Sequence, residues 1–362
     1  MGQSAAIEPR IAEFDWLKVL ALFLLMFVHS DLLFVFPDVV TPLMWFMISC
    51  FFFVSGFLAL NSFHKRGASI KRFFKTKILL LYIPFLFASL VYFALQTALA
   101  GENVDLLHLL SNVTLLNIFN SLNTIYNWGF LWFIPYLLVF MLIFCFLEKY
   151  VKNIKLQVSI VLFLWFFTIL AWVYDATLKP GQLFSQYFLV FMIGVWLNKL
   201  KLYKKAISVK TALVAVPLLA LFTLDFSYLF TFSNTTNALE SLLYTNGRSI
   251  ILSLSAVLLA LFFFQKFRFP RNRFIELVAM ASIFVYLLDP IFAFALSNYV
   301  FGQPSMPFAA GSEFYICMTV RILLSLVLLP FVVTAIRAYV RKSRGSIKPK
   351  KTVNDNTLGE PA

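Results

Sequence analysis

The sequence predicts an all-α, polytopic transmembrane bundle of about ten spans with both termini in the cytoplasm. Three observations carry that prediction. The composition is too apolar for a water-soluble domain: 61% of the 362 residues are hydrophobic and 13% charged, with a mean hydropathy of +0.88, whereas soluble domains carry about a quarter charged residues. Apolar runs of membrane-crossing length recur along the whole chain. The Lys and Arg residues fall almost entirely on one side of those runs.

A hydrocarbon core of about 30 Å needs roughly 20 apolar residues in helical form. On that basis the spans fall at 14–36, 41–62, 77–100, 128–147, 156–175, 184–198, 210–230, 247–265, 275–297 and 316–337. If the N-terminus is inside, all but three of the 30 Lys and Arg residues lie on the cytoplasmic face. They are Arg10 and Lys18, the run Lys65, Arg66, Lys71, Arg72, Lys75 and Lys77, the loops 148–155, 198–210 and 266–273, and the segment from Arg337 onward. Among the loops of the opposite side only Lys179 is basic. This asymmetry sets orientation in a membrane. It accounts for the net charge of +14 without a nucleic-acid partner, and it marks a multi-pass inner-membrane protein with both termini inside.

Residues 1–344 form the transmembrane domain, and the polar, Pro- and Gly-containing segment 345–362 reads as a disordered cytoplasmic tail. The first 13 residues are polar and the run after them is too long for a signal-peptide core, so no cleavable signal is expected. The longest outer loop, 101–127, reads as a short helix lying on or folding back into the outer surface, as an acceptor dock or a structural lid. Cys50, Cys145 and Cys317 show neither paired nor metal-like spacing. No metal site and no bound cofactor are expected.

The polar residues inside the apolar runs are the candidates for chemistry, because an ionisable group at membrane depth is costly and marks function or a structural pair. His29 follows Asp15 by fourteen residues, about 21 Å along a helix, roughly two-thirds of the way to the outer face. Burial favours its neutral form, which can accept a proton from a hydroxyl; the alternative is a structural hydrogen bond to a neighbouring helix. Asp289 falls at matching depth in the ninth span. It can orient His29 as the third group of a catalytic set, or pair with Arg248 or Arg321 as a structural ion pair. Pro290 beside it frees a backbone carbonyl. Arg248 and Arg321, near the outer ends of their spans, either face a protein interior or snorkel outward. Asp15 and Lys18 can pair at the inner mouth. The basic run at 64–77 can hold an anion or act as ordinary cytoplasmic anchoring. Trp128, Trp132 and Tyr136 cluster near the outer interface, where aromatic belts are common.

Taken together, the segments RIAEFDWLKVLALFLLMFVH (10–29), FFFVSGFLAL (51–60), GFLWFIPYLLVF (129–140), FMIGVWL (191–197) and ASIFVYLLDPIF (281–292) resemble, in order and spacing, the motifs of the membrane-bound acyltransferase 3 family of bacterial glycan O-acyltransferases. The resemblance covers about residues 10–340. Three positions depart from the pattern. Lys18 stands where the family usually has Arg, Leu80 replaces the second residue of the basic pair opening the third helix, and Asp289 replaces a His.

The resemblance implies an O-acyltransferase moving an acyl group, most often acetyl, from cytoplasmic acyl-CoA to a hydroxyl of an extracytoplasmic polysaccharide or glycoside. His29 would be the base and Asp289 its partner. Lys18, Arg72, Lys75 and Lys77 would contact the donor, and Arg248, Arg321, Trp132 and Tyr286 the acceptor or the developing oxyanion. Partners are then acyl-CoA, the glycan acceptor and membrane lipid. The rival class is a proton-coupled transporter or flippase of a glycan or lipid-linked sugar, for which internal repeats would speak; none is evident.

Overall fold

The computed structural model is described over residues 11–28, 37–99, 106–115, 129–174, 180–223, 238–270, 272–299 and 312–345. Among the described residues all regular secondary structure is helical, as lipid requires of a backbone that must satisfy its own hydrogen bonds. The chain runs through α1 (Ala12–Val28), α2 (Pro37–His64) and α3 (Ile70–Lys77), then a π-helical turn (Ile78–Tyr82) into α4 (Ile83–Leu99). The short α5 (Leu106–Val113) follows, and a 3₁₀ turn (Gly129–Trp132) leads into α6 (Phe133–Tyr150). Next come α7 (Ile154–Tyr174), α8 (Pro180–Lys199), α9 (Tyr203–Ala206), α10 (Val209–Thr223), α11 (Ala238–Lys266) and α12 (Arg273–Tyr299). Helix α13 (Ser312–Ile322) continues through a second π-helical segment (Leu323–Leu328) into α14 (Leu329–Gly345).

Seven helical stretches among the described residues are long and apolar enough to cross a membrane: Leu43–His64, Ile70–Leu95, Phe133–Tyr150, Ile154–Ala171, Asn246–Lys266, Arg273–Ala293 and Tyr315–Ile336. Each coincides with one of the ten predicted spans. The remaining three, 14–36, 184–198 and 210–230, correspond to α1, α8 and α10. Helices α1 and α10 lead into residues outside the described set, and the apolar stretch of α10 covers Val209–Ala220. Helix α8 carries Gln182, Ser185, Gln186 and Asn198 among its apolar residues.

The bundle is centred on α2 and α8. A Cβ added at Gly56 would lie 2.0 Å from the Phe191 carbonyl oxygen, and one at Gly194 would lie 2.3 Å from that of Phe53. The two glycines therefore face each other's backbones, and only their missing side chains let the helices approach so closely. Asn198 fixes the register by donating from Nδ2 to the Phe57 carbonyl (2.6 Å) and to Asn61 Oδ1 (3.1 Å). Phe52, Phe140, Tyr187 and Phe188 fill the space beside this contact.

Several helix ends carry basic residues and share one way of stopping. In α2, Ala68 N–H returns to the Phe63 carbonyl and Gly67 N–H to that of His64; in α8, Leu202 returns to Leu197 and Lys201 to Asn198; in α11, Phe269 returns to Phe264 and Arg268 to Gln265. These are Schellman ends, which need one left-handed residue, supplied by Gly67 (φ 63°), Lys201 (φ 55°) and Arg268 (φ 47°). Cations there also complement the negative ends of the helix dipoles. The ends of α2, α6 and α8 are tied by the buried Glu148 carboxylate, which accepts from Lys199 Nζ at 2.6 Å and Gln157 Nε2 at 3.3 Å and meets His64 Nε2 at 3.3 Å. Trp16 at the start of α1 donates to the Pro270 carbonyl between α11 and α12 (3.3 Å). The loops that the charge pattern assigns to a single side thus converge.

Within the predicted outer loop 101–127, the described part is α5. The Tyr82 hydroxyl, in the first π-helical turn, donates to the Val113 carbonyl at 2.6 Å and holds α5 against the third span. The predicted tail beyond residue 345 lies outside the described residues.

Candidate active site

A cavity of about 590 Å³ opens between α1, α2, α3 with its π-helical turn, α6 and α12. Its lining changes character from one end to the other. At the basic end are Asp15, Lys18, Asn61, Ser62, Lys65, Arg66 and Lys77; at the other are Phe51, Phe133, Leu137 and Tyr286. Along α2 the wall from Ser62 to Phe51 is eleven residues, about 16 Å of helix, and Lys65 and Arg66 lie about a turn beyond. The length is set by helix rise and the polarity by residue type.

The turn after α2 shapes the basic end. Arg66 is clamped by Nη1 on the Ser62 carbonyl (2.7 Å) and hydroxyl (2.8 Å), and by Nε on Thr76 Oγ1 (3.0 Å). Because Thr76 sits on α3, this one guanidinium spans both walls. Ser69 caps α3, accepting from the Arg72 N–H at 3.4 Å. The π-helical turn follows Lys77 immediately. Such turns shift the face a helix presents and recur at functional sites; here Leu80 and Leu81 line the cavity beside Lys77. On the opposite wall, Phe14 and Phe57 wedge against Tyr203 at 5.3 Å each. Burial, and then the Glu13 carboxylate, push the Tyr203 phenol above its ordinary range, so it stays neutral.

At the far end three buried rings meet. The Phe133 and Tyr286 centroids are 5.0 Å apart, Phe51 and Phe133 5.9 Å, and Phe51 and Tyr286 6.2 Å. Trp132 stacks on Tyr187 (5.6 Å) behind them and meets Tyr136 edge-on. One helical turn past Tyr286, Asp289 is fully buried and held by α13 and its π-helical continuation. Arg321 Nη2 donates to Oδ2 at 2.7 Å, Arg321 Nε to Oδ1 at 3.3 Å, and the Ser325 hydroxyl to Oδ1 at 3.1 Å. Arg321 is 2% exposed, so both charges are out of solvent and each compensates the other. Pro290, next along α12, has no backbone N–H to give to the helix ladder.

The structure places the sequence candidates as follows. Lys18, Lys77 and Tyr286 line the cavity. Arg72 and Lys75 are exposed on α3, outside the lining, as expected for successive turns of an amphipathic helix. Asp289 and Arg321 form the buried ion pair that was one of the two readings open to Asp289. Arg248 sits half-buried on α11, and Trp132 backs the ring cluster. His29 and Trp128 lie outside the described residues. Lys65 and Arg66, from the basic run expected to hold an anion, line the cavity too, as do Ser55 and Ser282, which were not named as site residues. The helical spacing of Phe51, Ser55, Leu58 and Ser62 on α2, carried on by Lys65 in the turn just beyond it, was the available signal. Among the described residues no cluster of three or more His, Cys, Asp or Glu is placed to hold a metal ion.

A family model described as an acyltransferase domain, that of the acyltransferase 3 family, matches residues 11–337. The chain belongs to the acyltransferase 3 family, and it is a multi-pass membrane acyltransferase. That membership gives no support to the transporter expectation. Neither the curated proteins nor the solved structures gave a significant match.

Proposed function

We propose that this protein is an O-acyltransferase that takes an acyl group, acetyl in the first instance, from cytoplasmic acyl-CoA and transfers it to a hydroxyl of an extracytoplasmic glycan. The observation that carries this reading is the polarity gradient of the cavity. Four cationic side chains stand at one end and an aromatic wall at the other, over a length close to that of an extended pantetheine arm, roughly 15–20 Å, against about 16 Å of helix from Ser62 to Phe51. Lys18, Lys65, Arg66 and Lys77 receive the phosphates of CoA, with Arg72 and Lys75 adding positive potential at the mouth. The pantetheine arm follows the apolar walls inward and brings the thioester toward the ring cluster.

His29, in the same predicted span as Lys18, is the base. Its neutral imidazole takes the proton of the acceptor hydroxyl. The hydroxyl oxygen attacks the thioester carbonyl, the C–S bond breaks, and the departing CoA thiolate receives that proton from the imidazolium. Asp289, locked by Arg321 and Ser325, orients the imidazole. Arg321, neutralised by Asp289, holds that carboxylate in place, and on the acceptor side Trp132 with Tyr286 forms an apolar surface for the sugar, with Arg248 contacting its hydroxyls. The protein acts in the bacterial inner membrane with its basic loops in the cytoplasm.

The test is transfer in inside-out membrane vesicles given acetyl-CoA labelled in the acetyl group. The expected result is label in the glycan fraction, made alkali-labile by its ester linkage, only when the protein is present. Glycan movement across the vesicle without label would contradict the reading and favour a transporter.

A further inference from the structure

We infer that Phe51, Phe133 and Tyr286 form an end wall that restricts the donor to a short, uncharged acyl group. This inference rests on the acyl-CoA reading above and assigns the acyl specificity that the reading leaves open. The three rings come from α2, α6 and α12, the helices that make up the deep part of the cavity, and their centroids form a triangle with sides of 5.0, 5.9 and 6.2 Å. Rings at those separations are in contact and leave no passage for an alkyl chain between them. All three are buried, Phe51 being the most accessible at 8%. The wall is also backed: Phe52 packs on Phe133 at 4.6 Å and Trp132 on Phe52 at 6.3 Å, so Phe133 cannot swing away without displacing a second layer.

The charge distribution restricts the acyl group in a second way. The cations that line the cavity, Lys18, Lys65, Arg66 and Lys77, all stand at the basic end. Among the described residues the deep lining consists of Phe51, Ser55, Phe133, Leu137, Ser282, Ile283 and Tyr286, with no cationic side chain. Arg321, buried next to Asp289, has its guanidinium bound through Nε and Nη2 to that carboxylate. A succinyl or malonyl carboxylate carried to this end would exchange its hydration for the neutral hydroxyls of Ser55, Ser282 and Tyr286 with no opposite charge beside it, which disfavours it. Acetyl and propionyl groups meet neither obstacle.

The experiment is displacement of radiolabelled acetyl-CoA from the full-length protein in nanodiscs by unlabelled acetyl-, propionyl-, hexanoyl- and succinyl-CoA, for wild type, Phe133→Ala and Phe51→Leu. In the wild type, hexanoyl- and succinyl-CoA should compete at least about tenfold more weakly than acetyl-CoA, the scale on which a closed apolar pocket rejects extra methylenes. Phe133→Ala should bring hexanoyl-CoA close to parity while leaving succinyl-CoA disfavoured. If Phe133→Ala does not assemble, the smaller change in Phe51→Leu should move the hexanoyl ratio in the same direction. Equal competition by hexanoyl- and acetyl-CoA in the wild type would overturn the inference, and so would an unchanged ratio in a variant that still binds acetyl-CoA. If the wild type binds no acyl-CoA at all, the donor reading fails instead, and the two failures are distinct.

Discussion

Asp289 shows what one buried carboxylate requires of its surroundings. Its position in an apolar helix was plain from the sequence, and so were its two possible partners, His29 and an arginine. The partnership with Arg321 was not decidable there, because α12 and α13 are brought together by tertiary packing that no local pattern encodes. The ion pair sets a stability prediction: Asp289→Ala leaves a buried guanidinium uncompensated and should cost about 3–5 kcal/mol, read as a large drop in unfolding temperature in detergent. Adding Arg321→Met should restore much of that loss, since the remaining charge is then gone. Ser325→Ala, which removes one neutral donor, should cost only about 1 kcal/mol. Lys201 offers a change of opposite sign. Its left-handed φ of 55° strains any residue with a Cβ, so Lys201→Gly should stabilise by up to about 1 kcal/mol in the same assay.

At the scale of the elements, apolar run length made the helices legible, and seven of the predicted spans have counterparts of spanning length and apolarity among the described residues. Two features were invisible. The π-helical turn at Ile78–Tyr82 follows no residue signature in this sequence, yet it decides that Leu80 and Leu81 join Lys77 in the cavity wall. The close approach of Gly56 to the Phe191 backbone and of Gly194 to that of Phe53 was also hidden, although both glycines stand out in their segments, because it depends on α2 pairing with α8. A methyl group at either position would fall within 2.0–2.3 Å of a backbone oxygen, which no rotamer can relieve. Gly56→Ala and Gly194→Ala should therefore each destabilise the bundle by about 1–3 kcal/mol or more, the cost of overpacking. Size-exclusion profiles and thermal stability after solubilisation would read this. Variants matching wild-type stability would show that α2 and α8 lie further apart than described.

For the whole molecule, the one-sided placement of Lys and Arg reads directly as topology, and the helix ends that converge around Glu148 and Trp16 give that pattern a physical site. The native cysteines Cys50, Cys145 and Cys317 are all buried, which makes them a quiet background for reporters. Lys152→Cys and Lys204→Cys should react with a membrane-impermeant maleimide in inside-out vesicles and not in intact spheroplasts; labelling from the outside would reverse the orientation. The basic end of the cavity was only partly legible. Its cations were seen as a basic run, but which of them turn inward depends on the Arg66 clamp and the π-helical turn. Lys77→Met should weaken acyl-CoA binding by about tenfold, the order expected for one phosphate-directed cation in a sheltered site, with a smaller salt dependence of the remaining affinity.

The account stands or falls on transfer from the cytoplasmic side through a base in the first span. The measurement that tests it most directly is labelled-acetyl transfer from acetyl-CoA to the glycan fraction of inside-out vesicles, comparing wild type with His29→Ala at matched membrane levels. His29→Ala should bind acetyl-CoA with little change and transfer no label above the background of empty membranes. Transfer by His29→Ala at the wild-type rate would contradict it.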